Sequence, residues 1–150
     1  MKLWVLRHGE AEPHGKRLDS ERALTAHGRE EVLRITAELA GQPLTAIYAS
    51  PYLRAQQTAQ LVRETLGFEP EIRTVEWLTP ETDPDKVAEQ LVSVSDVLLV
   101  SHNPLVGNLL SYLQHGAGFP PEKVSTAGLA ELENNELLIG SMKLNGIKHP

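Results

Sequence analysis

The sequence predicts an α/β protein: a three-layer α/β/α arrangement around a mainly parallel central sheet with an antiparallel edge. Three observations predict it. Short apolar runs at residues 3–6, 44–49 and 96–100 alternate with segments whose apolar residues recur at helical spacing. Ser50-Pro51, Asp83-Pro84 and Asn103-Pro104 each place a capping residue before a proline, the signal for a helix start. Two apolar segments flank Asn134-Asn135, a pair suited to a hairpin turn, and would add antiparallel strands at one edge. At 150 residues the chain reads as one domain over 1–150, with the tail after about 144 loosely ordered.

The elements follow in order. Residues 3–6 (Leu3-Trp4-Val5-Leu6) form the first strand, and Gly9 turns the chain out of it. Residues 10–19 are loop, with Pro13, Gly15 and mixed charge, and 20–24 fit no single state. Thr25 caps a helix to about residue 40, where Val32, Ile35 and Leu39 make one stripe and Gly41 with Pro43 ends it. The second strand, 44–49, leads through Ser50-Pro51 into a helix carrying Ala55, Thr58, Ala59, Val62 and Leu66 on one face, stopped by Gly67. Residues 71–75 are a third strand, 77–80 loop, and Asp83-Pro84 opens a helix to about 92. The run 96–100 is apolar almost throughout, as a strand covered on both faces must be. The next helix runs to about 114 and Gly116 closes it; 129–132 and 137–142 are the hairpin strands.

Composition narrows the function. Hydrophobic residues at 41% and charged residues at 23% are ordinary for a globular chain. A net charge of −6 excludes an extended basic surface for nucleic acid, so any anion site must come from local arginines and helix N-termini. With no cysteine there is no disulfide, thiolate nucleophile or cysteine zinc site, which suits a reducing cytosol. The first apolar run is too short for a signal peptide and 97–100 too short to cross a bilayer. No His-Glu-x-x-His or carboxylate cluster has metal spacing, and no cofactor fingerprint is present. The expectation is a cytoplasmic monomer without metal or cofactor.

Three strand-to-helix junctions carry polar groups. The first holds Arg7 and His8, the second Ser50 and Arg54, the third Ser101, His102 and Asn103. Parallel strands end on one side of a sheet, where α/β proteins bind ligands. Each group has a plain alternative: Ser50 and Asn103 as helix caps, Arg54 as a solvated arginine, His102 as a hydrogen-bonded strand-end histidine. Together, two arginines, two histidines and helix N-termini make a pocket for a dianion, with phosphate its best occupant. A neutral histidine can attack phosphorus, and the neighbouring guanidinium opposes protonation of His8.

The motifs then resemble a known family. Arg7-His8-Gly9 with Glu10-Ala11, Leu24-Thr25-Ala26-His27-Gly28, Ser50-Pro51-Tyr52-Leu53-Arg54 with Thr58-Ala59, and Ser101-His102-Asn103-Pro104 resemble, in order, the segments of the histidine phosphatase superfamily. The short frame and the His102-Asn103-Pro104 form are most similar to its SixA-type phosphohistidine phosphatase branch. The resemblance implies a phosphoglycerate mutase-like fold. It implies His8 as a nucleophile that becomes a phosphohistidine, and Arg7, Arg54 and His102 as phosphoryl ligands, with Ser50 and Asn103 beside the substrate. Glu76, and after it Glu81, Glu10 and Glu12, are the candidates for the general acid. The implied partner is a phosphorylated protein, such as a histidine-containing phosphotransfer domain, or a small phosphoester, and phosphate ion itself. Two other functions share these residues: a small-molecule phosphomonoesterase or sugar phosphatase, and a phosphate-binding module without catalysis.

Overall fold

A computed structural model describes residues 1–15 and 17–150; Lys16, within the predicted 10–19 loop, lies outside them. Among the described residues six strands form one sheet in the order β3-β2-β4-β1-β5-β6. The elements are β1 (Lys2–Arg7), α1 (Ala26–Thr36), β2 (Ala46–Ala49), α2 (Leu53–Leu66), β3 (Arg73–Thr74), α3 (Pro84–Leu91), β4 (Val97–Ser101), α4 (Leu105–His115), β5 (Leu129–Glu133) and β6 (Lys143–Lys148). β1, β2, β3 and β4 are mutually parallel, whereas β5 and β6 run antiparallel beside β1. The α/β architecture expected from the sequence is therefore the observed one.

The two-residue period of β1 builds both cores. Leu3 and Val5 face a layer containing Leu105, Leu109 and Leu113 of α4 with Val87 and Leu91 of α3. Trp4 and Leu6 face the opposite layer, with Val32 and Ile35 of α1 and Ala55, Ala59 and Val62 of α2. β4 is buried along its whole length, which is why its sequence is an unbroken apolar run.

Register places the three junctions together. Arg7 pairs with Ser101 and Ala49 pairs with Val100, so β1, β2 and β4 end within about one residue of each other on one edge. β1 lies between a parallel and an antiparallel neighbour, so His8 leaves the sheet at the point where its direction changes.

Four local expectations need correction. The second hairpin strand is Lys143–Lys148, not 137–142, and the end of the chain is an edge strand, not a loose tail. Ala130 pairs with Ile147 and Leu132 with Leu144, while an irregularity between Glu131 and Leu132 breaks the strict alternation that periodicity detects. The stretch before it is a long turn, tied down where Gly140 N–H and Met142 N–H both donate to Leu113 C=O at 3.0 Å. α2 starts at Leu53, so Ser50-Pro51 precedes the helix instead of capping it. The third strand shrinks to Arg73–Thr74, an exposed edge, and Glu76–Leu78 is a 3-10 turn that buries Leu78.

Candidate active site

His8 is clamped by its backbone before its side chain does anything. Its N–H donates to Ser101 C=O at 3.0 Å and its C=O accepts from Ala127 N–H at 2.9 Å. The next residue must be glycine, because a Cβ on Gly9 would stand 2.6 Å from Gly28 C=O. A Cβ on Gly28 would in turn collide with the Glu10 backbone. Gly9 and Gly28 are thus two sides of one contact, which brings the first turn of α1 against the loop after β1. Thr25 Oγ1 caps that helix by accepting from Gly28 N–H at 2.9 Å, as its sequence predicts.

His8 is buried, 7% exposed as a whole residue. Its Nδ1 lies 2.7 Å from Gly9 C=O, an atom that can only accept, so Nδ1 carries the proton. Nε2 therefore presents a lone pair, and Arg54 Nε–H points at it from 3.3 Å. Burial pushes the His8 pKa down to about 4, against the pull of the Gly9 carbonyl and with help from the charges of Arg54, Arg7 and Arg22. At neutral pH the ring is uncharged.

Arg54 comes from the first turn of α2 and is buried. Its Nη1 donates to Asp19 C=O at 2.6 Å and its Nη2 to Asp19 Oδ2 at 3.1 Å, while its guanidinium lies 5.1 Å from the Tyr52 ring centre. Arg22 Nη1 holds the other carboxylate oxygen of Asp19 at 2.7 Å. Those arginine contacts hold the Asp19 carboxyl below its usual range, against the opposing effect of burial.

His102 follows β4, 1% exposed. Its ring meets that of His8 edge-on with centres 5.1 Å apart, and Tyr52 at 5.0 Å from another side. Its Nε2 lies 2.7 Å from Ser50 Oγ, and its Nδ1 has no partner. Burial, then the neighbouring His8 and Arg54, push its pKa down to about 2, with Asp19 opposing and Arg7 adding to the effect. Arg7 closes the group: Nη1 donates to Val124 C=O at 2.9 Å and Nε is buried without a partner. Two of the three orphaned buried side-chain atoms among the described residues, Arg7 Nε and His102 Nδ1, thus belong to this cluster. Buried polar groups are rarely left unpaired, so orphans in one place mark a site built for something else to complete.

The model of the histidine phosphatase superfamily (branch 1) matches residues 3–79. The chain belongs to the histidine phosphatase superfamily. Phosphohistidine phosphatase SixA of Escherichia coli (strain K12) is 32% identical over 143 residues, covering 91% of this chain and 87% of that protein. The SixA homolog of Haemophilus influenzae is 32% identical over 127 residues, covering 75% of this chain and 77% of its own. The structure of the protein histidine phosphatase SixA complexed with tungstate matches with a TM-score of 0.87 at 31% identity, over 99% of this chain and 97% of that one. An Entamoeba histolytica phosphoserine phosphatase matches at a TM-score of 0.73 with 16% identity, over 97% of this chain and 95% of that one, a likeness of fold. Within the superfamily the chain is of the SixA type.

In this histidine phosphatase the structure brings Arg7, His8, Arg54, Ser50 and His102 together and leaves other candidates outside. Asn103 adjoins the cluster: its Nδ2 donates at 3.1 Å to Val124 C=O, the carbonyl that also accepts from Arg7 Nη1, and its Oδ1 accepts from Gly107 N–H at 3.2 Å in the first turn of α4. The Glu10 carboxylate accepts from Thr25 Oγ1 at 2.9 Å, and Glu12 accepts from Ala23 N–H at 2.9 Å. Glu76 and Glu81 are exposed, and among the described residues neither hydrogen-bonds to the cluster. Sequence reasoning missed Asp19, Thr58 and Glu31. Thr58 Oγ1 accepts from Gly9 N–H at 3.2 Å, and the Glu31 carboxylate accepts from Glu10 N–H at 2.9 Å and from Thr126 Oγ1 at 3.0 Å. Thr58 was visible as a polar residue on the buried face of α2; Asp19, at the end of a charged loop, carried no such signal.

Proposed function

We propose that this phosphatase removes phosphate from phosphohistidine carried on a protein, through a covalent intermediate on His8. The observation that carries the reading is the tautomer of His8: Nδ1–H is held by Gly9 C=O at 2.7 Å, which leaves Nε2 as the attacking lone pair in an uncharged ring. Nε2 attacks phosphorus, the substrate N–P bond breaks, and the departing imidazole takes its proton from water. Water then attacks the His8 phosphoramidate, releasing phosphate and restoring Nε2. Arg7, Arg54 and His102 hold the phosphoryl oxygens and stabilise their charge, which is most of what phosphoryl transfer asks of a protein.

Two observations support the protein-borne phosphohistidine over an alkyl ester. The chain is 32% identical to a protein named phosphohistidine phosphatase. The carboxylates considered as acids are exposed or bonded elsewhere, and an imidazole, unlike an alkoxide, leaves without a protein acid. The same reading places the enzyme in the cytosol as a monomer acting on a phosphotransfer domain. The test is turnover by wild type and His8→Ala of a phosphohistidine-bearing protein domain beside a panel of small phosphomonoesters. Preference for the protein, abolished in the variant, is the expected result. Preference for the esters would keep the chemistry and move the function to a small-molecule phosphatase. Phosphate binding with no turnover of any substrate would make it a binding module.

A further inference from the structure

Ser50 lies next to the phosphoryl site and touches it through another residue. It is 0% exposed, and its Oγ has two hydrogen-bond partners: Tyr52 N–H at 3.3 Å and His102 Nε2 at 2.7 Å. A hydroxyl has one proton and two lone pairs. Tyr52 N–H can only donate, so it takes one of the lone pairs. Two arrangements remain at the short contact with His102. If His102 Nε2 carries the proton, it donates to the second lone pair, the Ser50 proton is left buried without an acceptor, and His102 Nδ1 is a bare lone pair. If Ser50 donates, all three of its hydrogen-bonding positions but one spare lone pair are used, and His102 Nδ1 carries an N–H. The second arrangement leaves no stranded donor at Ser50.

The two arrangements differ in what the site offers a phosphate. His102 Nδ1 is the buried, unpartnered atom of a ring packed 5.1 Å from that of His8. As an N–H it completes a set of donors with Arg7 Nε, also unpartnered, and Arg54. As a lone pair it would repel the oxygens the other groups attract. Protonating both nitrogens would put a third cation beside Arg7 and Arg54 in a buried place. We propose that Ser50 is a positioning residue: by donating to Nε2 it holds His102 as the Nδ1–H tautomer, so that the second histidine meets the phosphoryl group as a neutral donor. In this role Ser50 acts on the substrate through His102. Its role rests on the reading of the site as a phosphoryl site, but its tautomer claim does not.

The deciding experiment is 15N NMR of the His102 ring in the phosphate-free protein, which distinguishes a protonated from an unprotonated ring nitrogen without any substrate. Wild type is expected to show Nδ1 protonated and Nε2 bare. Ser50→Ala is expected to lose that preference, and its kcat/KM to fall about 10- to 100-fold, the range seen when the partner that orients a metal-bound histidine is removed. Ser50→Thr, which keeps the hydroxyl, is expected to restore the tautomer and most of the rate. A wild-type spectrum with Nε2 protonated overturns the proposal, whether or not the variants fold. So does a Ser50→Ala protein with an unchanged tautomer. Loss of the phosphohistidine reading with the tautomer intact would change the substrate and leave Ser50 in its role.

Discussion

Arg54 Nε–H points at His8 Nε2 from 3.3 Å, while the far side of the same guanidinium is gripped by Asp19 through a carbonyl and a carboxylate oxygen. One arginine thus faces the proposed nucleophile with its Nε edge and is braced from behind by a loop residue. It helps keep His8 uncharged, and it stands where a phosphoryl group on Nε2 would meet it.

The first prediction concerns Arg54 itself. Arg54→Ala removes the guanidinium whose Nε–H faces His8 Nε2, and kcat/KM is expected to fall on the order of 10²- to 10³-fold, as for other preorganised charge stabilisers. Arg54→Lys keeps the charge without the planar fork and is expected to recover only part of it. In Arg54→Ala the His8 pKa should rise above its value in wild type, since a positive neighbour is gone. Steady-state kinetics and a histidine titration by NMR check both.

A second prediction is the pH dependence. With the His8 pKa near 4, the nucleophile stays neutral across the physiological range, so kcat/KM should hold level on acidification well below pH 6.5 before falling near pH 4. A pH-rate profile with its acid limb near 6.5 would contradict this. Stability follows the same shift with a definite sign. Between an unfolded pKa near 6.5 and a folded value near 4, the unfolded chain binds more protons than the folded one. Stability is therefore expected to fall as pH drops through that window, by about 3 kcal/mol from His8, and this slope should be shallower in His8→Ala. Urea unfolding of both proteins at pH 7 and near pH 4.5 measures it.

Glu76→Gln and Glu81→Gln should each leave turnover of a phosphohistidine substrate within about twofold, because both side chains are exposed and, among the described residues, neither hydrogen-bonds to the cluster. A large drop in kcat for either, with its loss from the pH profile, would identify the missing acid and favour an ester substrate.

Gly28→Ala is expected to cost about 1–3 kcal/mol of stability and to lower kcat, since the new methyl would strike the Glu10 backbone and push the loop away from His8. Thermal melting and kinetics on the soluble variant check the two halves of that statement. An equal melting temperature would mean the two segments do not pack as described.

The strand ends were legible because their residues obey local rules. β4 reads as buried from Val97-Leu98-Leu99-Val100 alone, and Thr25 is where the cap of α1 was expected. β6 was not legible, since its residues Lys143-Leu144-Asn145-Gly146-Ile147-Lys148 alternate poorly and its partner strand carries an irregularity. The α2 start was misread for a different reason: Ser50-Pro51 has the chemistry of a cap, but the Ser50 hydroxyl is turned toward His102, a residue 52 positions away.

The sequence by itself determined the alternation of strands and helices, the polar residues at each strand end, and therefore the edge on which a dianion site would form. Only the tertiary structure decided which groups share hydrogens. Two of those choices depend on contacts between distant residues, Asp19 with Arg54 and Ser50 with His102, and the third on how the fold turns the His8 ring onto the C=O of its neighbour Gly9. Local pattern fixes where a side chain starts. The protonation, tautomer and orientation of a buried polar side chain are fixed by its partners, and chain folding alone supplies them.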